Sequence, residues 1–130
     1  MENHNTDTTE ENEEIKNQYI TKSLLELGLK PNLKGFNYIK YAIDIYPETI
    51  STNKRFNYLY TLIAEKYGVS ASSVERAIRT SVESAWYGNI PDNSHDIFSF
   101  PYITAEKAPT NTMFIATMAE LVKFGRFNKK

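Results

Sequence analysis

Apolar residues recur every three or four positions along most of the chain, a spacing that is typical of helices with one buried face. The pattern predicts helices over roughly 19–27, 34–45, 54–67, 71–86 and 110–125. Gly28, Pro47 and Gly125 are expected to end three of them, because glycine tolerates a left-handed turn and proline lacks an N–H donor. A brief helix near Ser94 and an extended segment over 100–104 complete the prediction. The predicted fold class is all-α, with about six helices around a central helix-turn-helix, a layout compatible with the winged-helix-like superfamily.

The same spacing predicts which side chains form the core. Each predicted helix has an apolar stripe that can face its neighbours. The predicted core positions are Ile20, Leu24, Leu25, Leu27, Phe36, Ile39, Ala42, Ile43, Phe56, Leu59, Leu62, Ile63, Val69, Val74, Ala77, Ile78, Val82, Ala85, Trp86, Phe114, Ile115, Met118, Leu121 and Val122. In a 130-residue chain with 41% hydrophobic residues, this set suffices for one domain with a modest core.

The first eighteen residues differ from the rest in composition. They are polar and carry six acidic residues against one lysine, so their net charge is −5, whereas residues 19–130 carry +4 of the total of −1. A segment with so few apolar groups is expected to stay disordered. We therefore predict a disordered acidic tail over 1–18 and one folded domain over 19–130. The tail is interpreted as a solubilising leader. The alternative is an acidic arm that competes with a polyanion such as DNA for the basic face of the remaining chain.

Composition also bounds the chemistry. The chain has no cysteine, two histidines (His4 and His95) and no glycine-rich phosphate loop. Ser94, His95 and Asp96 are adjacent in sequence, whereas a catalytic triad converges from separate elements. Neither an enzyme, a metal site nor a cofactor is predicted. No apolar run is long enough to span a bilayer and no signal peptide is seen, so a cytoplasmic, nucleoid-associated location is expected.

The sequence YTLIAEKYGVSASSVERAIR over 60–79 has the layout of a DNA-binding helix-turn-helix. Ala64 is small enough for a close helix approach, and Gly68 four residues later suits the turn. Ser70 is a candidate N-cap for the second helix, since its hydroxyl can accept a backbone N–H. In this motif the outer, N-terminal part of the second helix enters the major groove. An ordinary helical hairpin with solvated arginines is the alternative.

The outer face of the second helix carries the candidate base contacts Glu75, Arg76 and Arg79. Arginine can donate two bonds to guanine, and glutamate can accept from the cytosine amino group. Glu75 and Arg79 are also spaced to form a surface ion pair, and both roles can hold together. The candidate phosphate contacts are Ser70, Ser72, Ser73, Lys34, Lys54 and Arg55. For each of them, a solvated surface residue or a simple helix start is the alternative.

Several segments resemble the C-terminal DNA-binding domain of the stage-zero sporulation protein A family. They are LGLKPNLKGFNYIKYAI (27–43), SASSVERAIR (70–79), ESAW (83–86), GNI (88–90) and KAPTNTMFIA (107–116). The resemblance implies six helices and binding of double-stranded DNA at TGTCGAA-like boxes, often in tandem copies that a homodimer could occupy. It implies DNA contacts from Glu75, Arg76 and Arg79, and a contact between residues 83–100 and the sigma subunit of RNA polymerase.

Three departures from this family affect the functional prediction. One lies in the segment 83–100, where Pro91, Asn93 and His95 give a rearranged loop, so DNA binding is better supported than activation through the sigma subunit. Ser73 stands where the family commonly has a further arginine, so one contact is expected to be lost or replaced. Only about twenty residues precede the match, too few for the family's receiver domain. If this is the complete protein, aspartyl phosphorylation does not control it, and the expected modes of control are constitutive binding, control by abundance or competition with a full-length regulator. The alternative function is an adaptor or antagonist that pairs with a homologue, with a dimer surface on the last helix that includes Met113, Met118 and Phe124.

Overall fold

Five α-helices make up the parts of the chain that the computed structural model describes, which are residues 2–88 and 107–127, with side chains over 10–88 and 107–123. The helices are α1 (Glu2–Glu26), α2 (Lys34–Ser51), α3 (Tyr58–Tyr67), α4 (Ala71–Tyr87) and α5 (Asn111–Phe127). No strand occurs within these ranges, and the all-α prediction is confirmed. The brief helix expected near Ser94 and the extended segment expected over 100–104 lie outside the described residues.

α2 lies at the centre of the fold, since it contacts each of the other four helices. Most of the predicted core is buried around it: Ile20, Leu24, Leu27, Phe36, Ile39, Ala42, Ile43, Leu59, Ile63, Val74, Ile78, Val82, Ala85, Trp86, Phe114, Ile115, Met118 and Val122. The predictions for Leu25 and Val69 are wrong, because these side chains are 46% and 37% exposed. Leu25 follows the buried Leu24 and is turned about 100° away from it. Val69 lies in the turn before α4, outside either helical stripe.

α1 begins near the N-terminus, long before the first apolar stripe, where the pattern predicted its start. Side chains 10–15 are exposed, so burial does not stabilise this stretch. Polar contacts lie at the C-terminal end of this stretch: Gln18 Nε2 donates to Glu14 Oε2 at 3.1 Å, and Lys16 Nζ lies 2.7 Å from Asp44 Oδ1 of α2. Hydrophobic periodicity reports only burial, which is why it did not predict these turns. The division of the chain into an acidic tail over 1–18 and a DNA-binding domain over 19–130 stays a prediction.

α2 continues through Pro47 and α5 through Gly125, so both predicted stops are wrong. Pro47 removes one backbone donor from α2. The next turn is nevertheless stabilised by Thr49, which is buried and whose hydroxyl donates to the Ile45 carbonyl at 2.9 Å. A glycine inside a helix costs only about 1 kcal/mol relative to alanine, and the buried stripe of α5 offsets that cost. Gly28, by contrast, adopts φ 94° in the turn that ends α1, two residues after Glu26, as predicted.

α3 begins at Tyr58 rather than near Lys54, because tighter turns precede it. The N–H groups of Tyr58, Leu59 and Tyr60 donate to carbonyls three residues earlier, at 2.9–3.0 Å. This is the hydrogen-bond pattern of a 3₁₀ turn, which often leads into an α-helix. The Phe56 ring, within this turn, lies edge-on to the Tyr60 ring at 5.7 Å between centroids.

The dimer surface predicted on the last helix loses one of its members. Met118 is 1% exposed and belongs to the core, as its helical spacing predicts, so it does not contribute to the alternative dimer surface. Met113 is half-buried. The side chain of Phe124 lies outside the described residues.

The crossing of α2 over α4 positions the helix-turn-helix, and Gly35 makes this crossing close. A Cβ atom added at Gly35 would overlap the Ala77 carbonyl oxygen and the Ser81 Oγ of α4. Gly35 itself is buried. Only glycine therefore allows the first turn of α2 to lie directly against α4.

Candidate nucleic-acid interface

The turn between α3 and α4 has the geometry of a helix-turn-helix. Gly68 adopts a left-handed conformation, with φ 69° and ψ 37°, directly after α3. The N–H groups of Gly68 and Val69 both donate to the carbonyl of Ala64, which satisfies a free carbonyl at the helix end. The predicted roles of Gly68 as the turn residue and Ala64 as a small, buried residue in α3 are confirmed.

A cluster of three serine hydroxyls forms the start of α4. Ser70 Oγ accepts the backbone N–H of Ser73 at 3.1 Å, so the predicted N-cap is confirmed. The same hydroxyl donates to Ser73 Oγ at 2.8 Å and lies 3.2 Å from Ser72 Oγ. All three serines are exposed at the positive end of the helix dipole. The cluster therefore presents hydroxyl groups where an anion is favoured.

α4 has an inner apolar face and an outer charged face. Val74 and Ile78 are fully buried, whereas Arg76 and Arg79 are exposed. Arg79 Nη1 lies 2.5 Å from Glu75 Oε2, so the predicted ion pair is formed. The side chains of Arg79 and Glu75 are 46% and 36% exposed, and a pair in such contact with water contributes little to stability. We call Glu75, Arg76 and Arg79 the reading face.

An open groove runs beside the reading face, between α4 and the start of α2. It is lined by Lys34, the first residue of α2, together with Ser73, Arg76 and Thr80 of α4. Three residues predicted from sequence to contact DNA, Lys34, Ser73 and Arg76, are thus brought together from two helices. The groove is concave, and its two cations suit a polyanion.

Lys54 and Arg55 lie elsewhere. Both are exposed in the connection between α2 and α3, and neither lines the groove. Lys54 Nζ is 5.1 Å from the centroid of the Tyr58 ring, a cation–π geometry. Their predicted phosphate contacts would need a second strip of the surface.

Sequence reasoning missed Asn111, the first residue of α5. This residue is 8% exposed, and its Nδ2 donates to the Tyr60 hydroxyl and to the Glu75 carbonyl, both at 3.1 Å. Burial raises the pKa of Tyr60, and the nearby Glu75 carboxylate adds to this, although the Asn111 hydrogen bond and Arg79 oppose it. An asparagine at a helix start is ordinarily interpreted as a cap, so no local signal indicated this role.

A family model described as "Sporulation initiation factor Spo0A C terminal" matches residues 20–122. The chain belongs to this family. The match runs from the last turns of α1 into α5 and includes the whole helix-turn-helix. The resemblance stated from the sequence is therefore confirmed.

Membership in the Spo0A C-terminal family sets the class of function. The family consists of DNA-binding effector domains of sporulation transcription regulators, so DNA is the partner of this domain, and the family is not one of enzymes. In residues 2–88 and 107–127, no helix is long and apolar enough to cross a membrane. Among the described side chains, no cluster of three or more metal-ligating groups occurs. Of the segment 83–100 that the resemblance assigns to the sigma subunit, only the part through Gly88 lies within the described residues.

Proposed function

We propose that this Spo0A C-terminal domain is a sequence-specific transcription regulator that inserts the first half of α4 into the major groove of TGTCGAA-like boxes. The observation that carries the proposal is the capped helix-turn-helix with two arginines exposed on one side of α4. Exposed arginines in the outer, N-terminal half of the second helix are the residues that reach base edges in this motif.

Each member of the reading face has a separate role in this proposal. Arg76 makes no ion pair with a described residue, so its guanidinium can donate two bonds to a guanine. Arg79 is oriented by Glu75 before DNA arrives, which lowers the entropy lost on binding. Glu75 retains a second carboxylate oxygen, which can accept from a cytosine amino group.

Phosphate contacts are proposed on both sides of the reading face. Lys34 and Ser73 would hold one phosphate of the backbone across the groove. Ser70 and Ser72 would bond another at the positive end of α4. Lys54 and Arg55 would contact the backbone farther along, near the start of α3. Ser73 would thereby supply a neutral donor where the family commonly has an arginine.

Two further partners belong to the same proposal. Tandem boxes would be occupied by two copies of the domain, head to tail. The segment 83–100 would contact the sigma subunit of RNA polymerase once the domain is on DNA. Both rest on the family resemblance rather than on a described contact.

The test is titration of the protein with a duplex that contains a TGTCGAA-like box and with a scrambled duplex, each at several salt concentrations. Arg76→Ala and Arg79→Ala should each lower affinity for the box by about 1–3 kcal/mol and relax discrimination at one base pair. Lys34→Ala should weaken binding to both duplexes equally. It should also reduce the slope of log affinity against log salt concentration by about 0.9, the value for one lost phosphate contact. Lys22→Ala, which removes an exposed charge from α1, is the matched control and should change neither measure.

Weak binding that does not distinguish the two duplexes, and that is unaffected by both arginine substitutions, would overturn the proposal. That result would favour the alternative in which the domain pairs with a homologous regulator.

A further inference from the structure

Asn111 joins three helices at one buried point. It is the first residue of α5, and its Nδ2 donates to Tyr60 of α3 and to the backbone carbonyl of Glu75 in α4. Its partners are 51 and 36 residues away along the chain. A buried amide that lost these partners would stay unsatisfied, so the two bonds constrain the relative positions of the three helices strongly.

The bond to Glu75 acts on the turn of α4 that carries the ion pair. In an α-helix the carbonyl of Glu75 accepts the N–H of Arg79, four residues later. A carbonyl oxygen has two lone pairs, so Asn111 can use the second without breaking the helix. The same carbonyl is therefore connected to Arg79 inside α4 and to α5 outside it.

Tyr60 completes this arrangement beside the charged pair. Its hydroxyl accepts the second N–H of Asn111, and its ring packs edge-on against Phe56 at 5.7 Å. The charges of Glu75 and Arg79 are close enough to influence the pKa of the Tyr60 hydroxyl. The amide, the hydroxyl and the ion pair thus lie in one neighbourhood.

We propose that Asn111 is a specificity-determining positioning residue, which sets the placement of the Glu75–Arg79 turn against the DNA through its bond to the Glu75 carbonyl. This inference rests on the proposed function. An arginine can donate two bonds to one base only if its backbone holds the guanidinium at the right place and angle. A small displacement of the helix turn that carries it therefore lowers the affinity. Arg76 lies on the other flank of α4, where it borders the groove beside the start of α2.

The experiment measures binding of the full chain to the box, to a set of boxes with single base-pair changes, and to the scrambled duplex. Asn111→Ala should lower affinity for the box about tenfold, with little change for the scrambled duplex. The Asn111→Ala protein should lose discrimination at the base pair where Arg79→Ala loses it. It should keep discrimination at the base pair where Arg76→Ala loses it. In a background that carries both Glu75→Ala and Arg79→Ala, Asn111→Ala should have little further effect, because residues that act through the same contacts are not additive.

Two other variants separate positioning from general loss of stability. Tyr60→Phe keeps the ring and removes only the hydroxyl, so it should give a smaller loss at the same base pair. Val122→Ala removes buried apolar volume from α5, the helix that begins at Asn111. Any loss of affinity in this variant should be equal for all duplexes. Losses for Asn111→Ala that are equal for all duplexes, or that add fully to the loss of the Glu75→Ala/Arg79→Ala double variant, would overturn the inference.

A measurement on the free protein distinguishes failure of this inference from failure of the proposed function. Hydrogen exchange of the Arg79 amide should be faster in Asn111→Ala than in a Val122→Ala protein under conditions of equal global stability. If the parent protein does not discriminate the box from the scrambled duplex, the proposed function and the specificity role of Asn111 are both overturned. The exchange result still shows whether Asn111 stabilises the turn of α4 that carries Glu75 and Arg79. If the parent discriminates and Asn111→Ala does so equally well, only the inference is overturned.

Discussion

The replacement Gly35→Ala tests how closely α2 and α4 must approach to present the reading face. The new Cβ would overlap two atoms of α4, the carbonyl oxygen of Ala77 and the hydroxyl oxygen of Ser81. The serine hydroxyl could rotate away, but the carbonyl belongs to the helix backbone and has no such freedom. The overlap is therefore relieved only if the two helices move apart.

The size of the effect follows from two opposing terms. Adding a methyl group to a tightly packed contact costs about 1–3 kcal/mol, and we take the upper end because a backbone atom is involved. Alanine is a better helix former than glycine by up to about 1 kcal/mol, which offsets part of that cost. We expect a net loss of about 2 kcal/mol in the free energy of unfolding. For a chain of this length, this corresponds to a Tm lower by roughly 6–10 °C.

Thermal and urea unfolding, followed by the helical circular dichroism signal, would measure this loss. The matched background is Ser81→Ala, since Ser81 Oγ is buried and, among the described residues, has no hydrogen-bond partner. Ser81→Ala alone should be nearly neutral, and it should reduce the cost of Gly35→Ala by removing one of the two overlaps. A Gly35→Ala protein as stable as the parent would refute the argument that the helices meet at this residue.

Three further outcomes are expected. Gly68→Ala should lower the free energy of unfolding by about 1 kcal/mol through its positive φ alone, because no atom lies near the new Cβ. Gly68→Asn should lower it less, and urea unfolding measures both changes. Ser70→Ala should lose about 1 kcal/mol in the same assay, since it removes the acceptor for the Ser73 N–H, and an unchanged midpoint would contradict the cap. Burial raises the pKa of Tyr60 and Tyr67, so the stability that these groups contribute is present below pH about 10 and is lost as the pH rises further. The replacement of both tyrosines by phenylalanine should flatten that alkaline decline in an unfolding series, and an unchanged decline would contradict the assignment.

The sequence predicted the parts of the fold that depend on burial and local turn chemistry. The inward stripe of α4, the left-handed Gly68 and the Ser70 cap were all visible in 60–79, because each leaves a local mark on residue type. The early start of α1 left no such mark, since its exposed first turns bury no stripe. The passage of α2 through Pro47 was equally hidden, because the residue that anchors the helix there is Thr49, two positions later, which is buried and bonds the Ile45 carbonyl.

The candidate site shows the same division between local and distant causes. Arg76, Arg79 and the Glu75–Arg79 pair follow from helical spacing within a single segment. The supports of the site do not, because Gly35 and Asn111 act on α4 from other helices and carry no motif that indicates it. A single sequence shows which residues lie on one helical face, but not which distant residue holds that face in place.

The two arginines of the reading face are held by different neighbours. The Arg76 flank lies against the start of α2, where Gly35 fixes the distance between the helices. The Glu75–Arg79 flank is fixed by Asn111 at the start of α5. A helix that is supported on both flanks resists displacement on either side. When one support is removed, the other flank is still held, so only the guanidinium on the loosened side is expected to lose its position. In the proposed complex, this double support would allow two long, exposed side chains to discriminate bases although neither is rigidly packed.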